Sequence, residues 1–279
     1  MAQQSKIQWT DATWNIARGC SKVDADCKYC YMYRQSLNGT RYTPDQVIRT
    51  KTVFKMPLEL KTPSRIFTSS LTDFFHPDID SYRHEAWEII RKCPQHTFQI
   101  LTKRPERIIQ CLPEDWGEGW ANVWLGTSVG SQKAADVRVP FLLKAPSKTR
   151  FLSIEPLHAE INLTHMDVEL SGDKDWCFIN CLTGQHYDMG RPCTPVPTLD
   201  WVIVGGESGN ENGKYKYRHC EIKWIEKIVQ DCQFNDIPIF VKQMGTHLAK
   251  ELKLNDRHGG DIEEFPEYLK IREFPNIRF

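Results

Sequence analysis

The chain has 279 residues, 40% of them hydrophobic and 26% charged, with a formal net charge of zero. That length holds one large α/β domain or two small ones, and the composition is that of an ordinary globular protein. It is not a polycation, and no apolar run approaches the roughly 18 residues a spanning helix needs, so no segment is expected to cross a membrane. Met1-Ala2-Gln3-Gln4-Ser5-Lys6 lacks the apolar core of a signal peptide, which makes a cytoplasmic location the expectation. In such a reducing compartment the ten cysteines do not read as a disulfide framework. Cys93 and Cys232, beside helical patterns, read as inert core residues.

In chain order, a first strand is expected near Trp14-Asn15-Ile16. It runs into Gly19-Cys20-Ser21-Lys22-Val23-Asp24-Ala25-Asp26-Cys27-Lys28-Tyr29-Cys30-Tyr31, with the spacing C-x6-C-x2-C. From Arg18 to Arg65 ten Lys/Arg stand against four Asp/Glu. Such a local excess can meet phosphates, or it can simply be a solvated basic face. Short apolar runs then recur, each ending in a polar or glycine-containing turn. They are Arg65–Thr68 before Ser69-Ser70-Leu71-Thr72-Asp73, Thr97–Leu101 before Thr102-Lys103-Arg104-Pro105, and Val123–Leu125 before Gly126-Thr127-Ser128. Arg150–Ile154 before Glu155-Pro156, Trp201–Val204 before Gly205-Gly206-Glu207, and Pro238–Val241 before Lys242-Gln243 complete the set. His84–Lys92 and Ile222–Cys232 carry the helical period.

About seven short strands alternating with helices imply a parallel sheet buried on both faces. Polar residues gather just after the strands, where a barrel places its chemistry. The expected fold is therefore α/β, a TIM-like, partial β/α barrel, with residues 1–279 as a single domain. A doubly wound open sheet competes, but no Gly-x-Gly-x-x-Gly turn follows the first strand. The stretch of about 158–199 is too long for an ordinary connection and reads as an insertion at the barrel mouth, a lid or substrate-binding element. It holds Cys177, Cys181, Cys193 and His186, four potential ligands for a second metal; buried structural cysteines are the better reading of their loose spacing. Residues 246–279 read as a loop-rich closing segment whose Phe274-Pro275 packs back on the body.

The early cysteines carry the sharpest signal. Three thiolates on one loop, Cys20, Cys27 and Cys30, can hold three irons of a 4Fe–4S cluster and leave the fourth open to a chelating small molecule. A structural zinc wants four protein ligands, and no histidine precedes His76 and no fourth cysteine precedes Cys93. The rival reading is a zinc-binding β/α-barrel hydrolase, or a nucleic-acid-binding protein with a structural metal site.

A strand followed by a three-cysteine loop, with Tyr29 just before the last cysteine, resembles the radical S-adenosylmethionine (SAM) superfamily. The first gap is three residues longer than that superfamily's usual one. Thr72-Asp73-Phe74-Phe75-His76-Pro77 and Leu101-Thr102-Lys103 resemble motifs of its spore photoproduct lyase-like branch. Trp-Asn…Gly-Cys…Cys-x-x-Cys-Tyr, with Leu-Thr-Lys-Arg-Pro and Val-Gly-Gly-Glu-Ser, is most similar to a phage- and bacterium-borne family, the phage Gp37/Gp68-like proteins (DUF5131), over nearly the whole chain.

The resemblance implies an enzyme that cleaves SAM reductively to a 5′-deoxyadenosyl radical, which then takes hydrogen from a substrate. It implies a 4Fe–4S cluster and SAM as cofactors, and an electron donor such as flavodoxin or ferredoxin. Ser69, Ser70 and Asp73 are candidates for the SAM amino group or ribose. Lys103 is a candidate for its carboxylate, and Thr127 and Ser128 for ribose or carboxylate. Glu155 and Glu207 are candidates for hydroxyls, the sulfonium side or substrate. For Ser69 and Thr127 a turn or cap role is the stronger reading. For Lys103, Glu155 and Glu207 a charge just after a buried strand needs a partner, which favours function. The substrate class that the basic excess, the nine tryptophans and the repair-lyase likeness favour is nucleic acid or a nucleobase. A peptide or small molecule is the alternative.

Overall fold

The computed structural model describes residues 5–35, 43–168, 177–188, 190–213 and 216–275. The chain divides into two compact units, Met1–Gly126 with Pro146–Thr149, and Thr127–Ala145 with Arg150–Phe279.

The first unit opens with β1 (Ala12–Trp14), β2 (Ala17–Arg18) and α1 (Tyr31–Gln35). It continues through β3 (Ile48–Arg49), α2 (Met56–Glu59), β4 (Arg65–Thr68), α3 (Arg83–Arg91) and β5 (Thr97–Thr102). It ends in β6 (Val123–Ser128), which runs across the boundary. β1 pairs in parallel with β4, Ala12 opposite Ile66, and β4 with β5, Arg65 opposite Thr97. The short β2 and β3 pair antiparallel at the entry to the cysteine loop. Every residue of β6 is buried, as a parallel strand covered on both faces requires. On α3 the buried residues Ala86, Trp87, Ile89 and Ile90 form one apolar stripe, with Glu85 in the first turn and Arg91 in the last. That charge order suits the helix dipole. Aromatic rings fill this core. Trp14 lies edge-on to Phe98 at 5.8 Å and Phe74 to Trp87 at 4.9 Å, contacts worth about 0.5–1.5 kcal/mol each beyond burial.

The second unit contains α4 (Gln132–Lys144), capped by Ser131, and β7 (Thr149–Leu157). Then come β8 (Met166–Val168), β9 (Cys177–Ile179), β10 (His186–Asp188) and β11 (Arg191–Pro192). β12 (Trp201–Gly206), α5 (Ile222–Phe234), β13 (Ile239–Gln243) and α6 (Gly245–Glu251) follow. β12 lies between β7 and β13, parallel to both, with Trp201 opposite Phe151 and Ile203 opposite Phe240. Gly206 and Gly245 let β12 and the start of α6 touch through their backbones. A Cβ on Gly206 would meet the Met244 carbonyl at 2.2 Å, and Gly245 has φ of +81°, a conformation glycine adopts freely.

The seven parallel strands share one sheet in the order β1-β4-β5-β6-β7-β12-β13. Each strand lies beside the next one in the chain. A doubly wound sheet would reverse its order partway, so the fold is the α/β, partial β/α barrel arrangement expected from the sequence. Within 158–199 a separate antiparallel sheet forms in the order β11-β10-β9-β8, and β8 packs on α4. Phe274 packs back as expected, its ring 5.4 Å from both Trp201 and Phe240. Among the described residues no helix is long and apolar enough to cross a membrane.

Candidate metal centre

The cysteine loop is shaped by its own backbone. Gly19 sits at φ +95°, where a Cβ would lie 2.1 Å from the Gln46 carbonyl oxygen. Its N–H donates to Leu71 O at 3.1 Å, and the Cys20 N–H to Pro44 O at 2.9 Å. The end of the first gap and Cys27 itself form a 3-10 turn, Ala25–Cys27. Asp24 caps it by accepting from the Asp26 N–H at 2.9 Å. Cys30 follows and α1 starts at once, so Cys27 and Cys30 sit on successive turns of backbone. Cys27 is buried; Cys20 and Cys30 are half-buried.

The loop lies against the ends of β4 and β5. The Tyr31 hydroxyl donates to the Ser70 carbonyl, and the Tyr33 hydroxyl to the Cys20 carbonyl. Asn15, just beyond β1, accepts from the Leu71 N–H at 2.7 Å and bonds the Ser70 hydroxyl at 3.1 Å. Ser69 occupies the left-handed region at φ +69°. It is 2% exposed, and among the described residues its hydroxyl has no hydrogen-bond partner. Buried hydroxyls are normally paired, so this turn holds an unused polar group.

Asp73 is the hub. One carboxylate oxygen accepts from the Thr102 hydroxyl at 2.7 Å and the Phe75 N–H at 2.9 Å. The other accepts from the Lys103 N–H at 2.9 Å and Arg104 Nη1 at 3.2 Å. Both oxygens are thus spent inside the protein. Asp73 organises the turn through these four bonds.

Arg104 was not singled out from the sequence, although it stands in Leu-Thr-Lys-Arg-Pro. It is 8% exposed. Its Nη1 directs an N–H at Cys20 Sγ at 3.8 Å, and Nη2 donates to Ser21 O at 2.9 Å and Ser21 Oγ at 2.8 Å. His76 Nε2 meets the same Ser21 hydroxyl at 2.9 Å. His76 Nδ1 accepts from the Asp78 N–H at 3.2 Å, which leaves Nε2 as the protonated nitrogen of the neutral ring. Burial, and then the Arg104 charge, hold the His76 pKa below its ordinary value.

Electrostatics join the three sulfurs. Burial pushes the Cys20 thiol up to about 12, with Asp73 adding to the rise and Arg104 opposing it. Burial also raises Cys30, and the Lys103 charge counters it. Cys27 is a lesser contributor to the rise at both neighbours. Among the described residues no three His, Cys, Asp or Glu side chains gather around one ion's position. An all-thiol donor set is chemically of the soft kind that iron–sulfur clusters use.

The other candidates belong to the second unit. Thr127 is fully buried within β6. The Ser128 hydroxyl donates to Glu155 O at 2.9 Å, and its carbonyl accepts from Arg138 at 2.6 Å. Glu155 is paired with Lys242. Glu207 is 6% exposed and takes three hydrogen bonds from Arg218: the backbone N–H at 2.9 Å and Nε and Nη2 at 2.8 Å each. The partners these carboxylates need are supplied by the chain itself. Cys181 is fully buried and donates to Leu163 O at 3.2 Å, as a structural cysteine does, while the Cys177 side chain lies outside the described residues. A cavity of about 360 Å³ lined by Arg83, His84, Arg107 and Cys111 opens beside α3 and includes none of the three loop cysteines.

Neither a curated protein nor a solved structure matches the chain. A family model does match, over residues 4–266. The trio of thiols, the turn after β4 and the Lys-Arg pair after β5 all lie inside that span, and the chain belongs to the family described as "Protein of unknown function (DUF5131)".

Proposed function

We propose that this protein is a radical SAM-type enzyme. Cys20, Cys27 and Cys30 would hold a 4Fe–4S cluster, and Ser69, Ser70 and Lys103 would contact SAM. One observation carries the reading: a three-thiol loop is fastened to the tips of β4 and β5, with a cation on one sulfur. The Ser69 hydroxyl, without a partner among the described residues and beside the Tyr31–Ser70 contact, supports it further. When bound, the cluster and SAM supply one-electron cleavage and hydrogen abstraction, chemistry that side chains alone do not offer. The chain's own part is to bind and orient. Lys103 brings a positive charge suited to a carboxylate, and its amide is fixed by Asp73. Asp73 and Arg104 hold the loop in register with the strand tips.

A one-electron donor of the flavodoxin or ferredoxin kind would feed the site. Exposed Arg18, Lys22, Lys28, Lys51, Lys55 and Lys61 in the first unit favour a polyanion, nucleic acid, as substrate.

Anaerobic loading with iron and sulfide tests the reading, followed by SAM and dithionite. A brown protein that releases 5′-deoxyadenosine is expected, and alanine at Cys20, Cys27 or Cys30 should abolish both. A colourless protein that takes up one zinc and leaves SAM intact would refute it. Fluorescence anisotropy with labelled single-stranded DNA and RNA tests the substrate class; affinity that does not weaken with added salt would count against a polyanion.

A further inference from the structure

A buried guanidinium against a cysteine sulfur needs a reason, because burying a charge is costly unless it is paired. Arg104 is paired with Asp73, 3.2 Å away. Yet Asp73 already accepts from Thr102, Phe75 and Lys103. Its backbone partners would hold the turn without Arg104. The loop contacts of Nη2 to Ser21 would likewise fix the chain without a hydrogen aimed at sulfur. What Nη1 adds is a directed N–H and a positive charge on one chosen thiol, Cys20. Asp73 keeps that nitrogen in place, and Ser21 and His76 hold the other end of the fork. The geometry is that of a second layer of residues tuning a metal ligand.

We infer that Arg104 is a positioning residue that sets the reduction potential of a cluster bound by Cys20, Cys27 and Cys30, through the N–H it directs at Cys20. This rests on the proposed cofactor. Hydrogen bonds to cluster sulfurs and nearby positive charge favour the reduced, more negative state. Arg104 thus makes it easier for the cluster to accept one electron from an external reductant. Lysine cannot replace it fully, since a point charge on a flexible stem lacks the planar fork that engages sulfur, carboxylate and loop together.

The test uses the full chain, loaded anaerobically with iron and sulfide, as wild type, Arg104→Gln, Arg104→Lys and the exposed control Arg91→Gln. Redox titration followed by electron paramagnetic resonance gives the midpoint potential; iron content and far-UV circular dichroism report loading and folding. In Arg104→Gln the ratio of reduced to oxidised cluster at the wild-type midpoint should fall about tenfold, a shift of about 59 mV for one electron. Arg104→Lys should shift in the same direction by less, and Arg91→Gln not at all. If the glutamine variant does not fold or load, the lysine variant decides by the same criterion. A loaded Arg104 variant with the wild-type potential overturns the inference and leaves the cofactor reading intact. Wild type that takes up no cluster overturns the cofactor reading itself, and is recognised before any variant is made.

Discussion

Glu207→Ala asks whether this carboxylate is a ligand contact or one half of an internal ion pair. The side chain is 6% exposed, and the Arg218 side chain facing it is 18% exposed. Removing Glu207 takes away the carboxylate that accepts from the Arg218 backbone N–H, Nε and Nη2. Breaking a buried pair from one side typically costs about 3–5 kcal/mol; the residual exposure of Arg218 puts the expected loss at the lower end, about 3 kcal/mol. With a urea slope of roughly 3 kcal/mol/M, that lowers the unfolding midpoint by about 1 M. Tryptophan fluorescence during urea titration reads it directly. The double variant Glu207→Met, Arg218→Met should recover most of the loss, since an apolar pair leaves no orphaned charge. A cost below about 1 kcal/mol for Glu207→Ala, or no recovery in the double variant, would refute the ion-pair account. It would return Glu207 to the pool of substrate contacts.

Gly19→Ala forces a Cβ to within 2.1 Å of the Gln46 carbonyl, so iron uptake after reconstitution should fall sharply while the far-UV spectrum stays close to wild type; full uptake would show that the loop tolerates the shift. Ser69→Ala removes a buried hydroxyl that has no partner among the described residues, and should leave the apo protein as stable or up to about 1 kcal/mol more so. Its SAM affinity, measured by calorimetry on the loaded protein, should nevertheless drop. Asp80 is held below the ordinary carboxylate value of 3.8 because bonds from Arg83 and Arg107 outweigh the effect of burial. Its contribution is present above that value and lost as pH falls through the lower folded one. Asp80→Asn should therefore be less stable than wild type at neutral pH, and the gap should begin to close only as pH falls below about 4 and vanish below the lower folded value, as urea midpoints across pH will record; parallel curves would contradict this.

The strands were legible because parallel strands covered on both faces are written as unbroken apolar runs. Val123-Trp124-Leu125 and Trp201-Val202-Ile203-Val204 are such runs, and the expected boundaries fall within a few residues of the observed ones. The cysteine loop was legible because all three thiols are close in sequence. Arg104 was not, since its partners Cys20 and Ser21 lie more than eighty residues away, and no local pattern encodes such a contact. Glu155 and Glu207 are halfway cases. Their position after apolar runs announced that each needs a partner, but it did not say that Lys242 and Arg218 provide it. The small sheet of β8 to β11 escaped notice because strands of two or three residues are too short to show a period.

The clasp on Ser21 bears on how the protein would meet oxygen. A zinc finger owes its shape to its metal and collapses when stripped. Here the loop is tied down by Arg104, Tyr33 and His76, bonds that no metal has to make. If the proposed cluster is bound, these bonds would remain after its oxidative loss, and reloading with iron and sulfide would need no refolding of the loop.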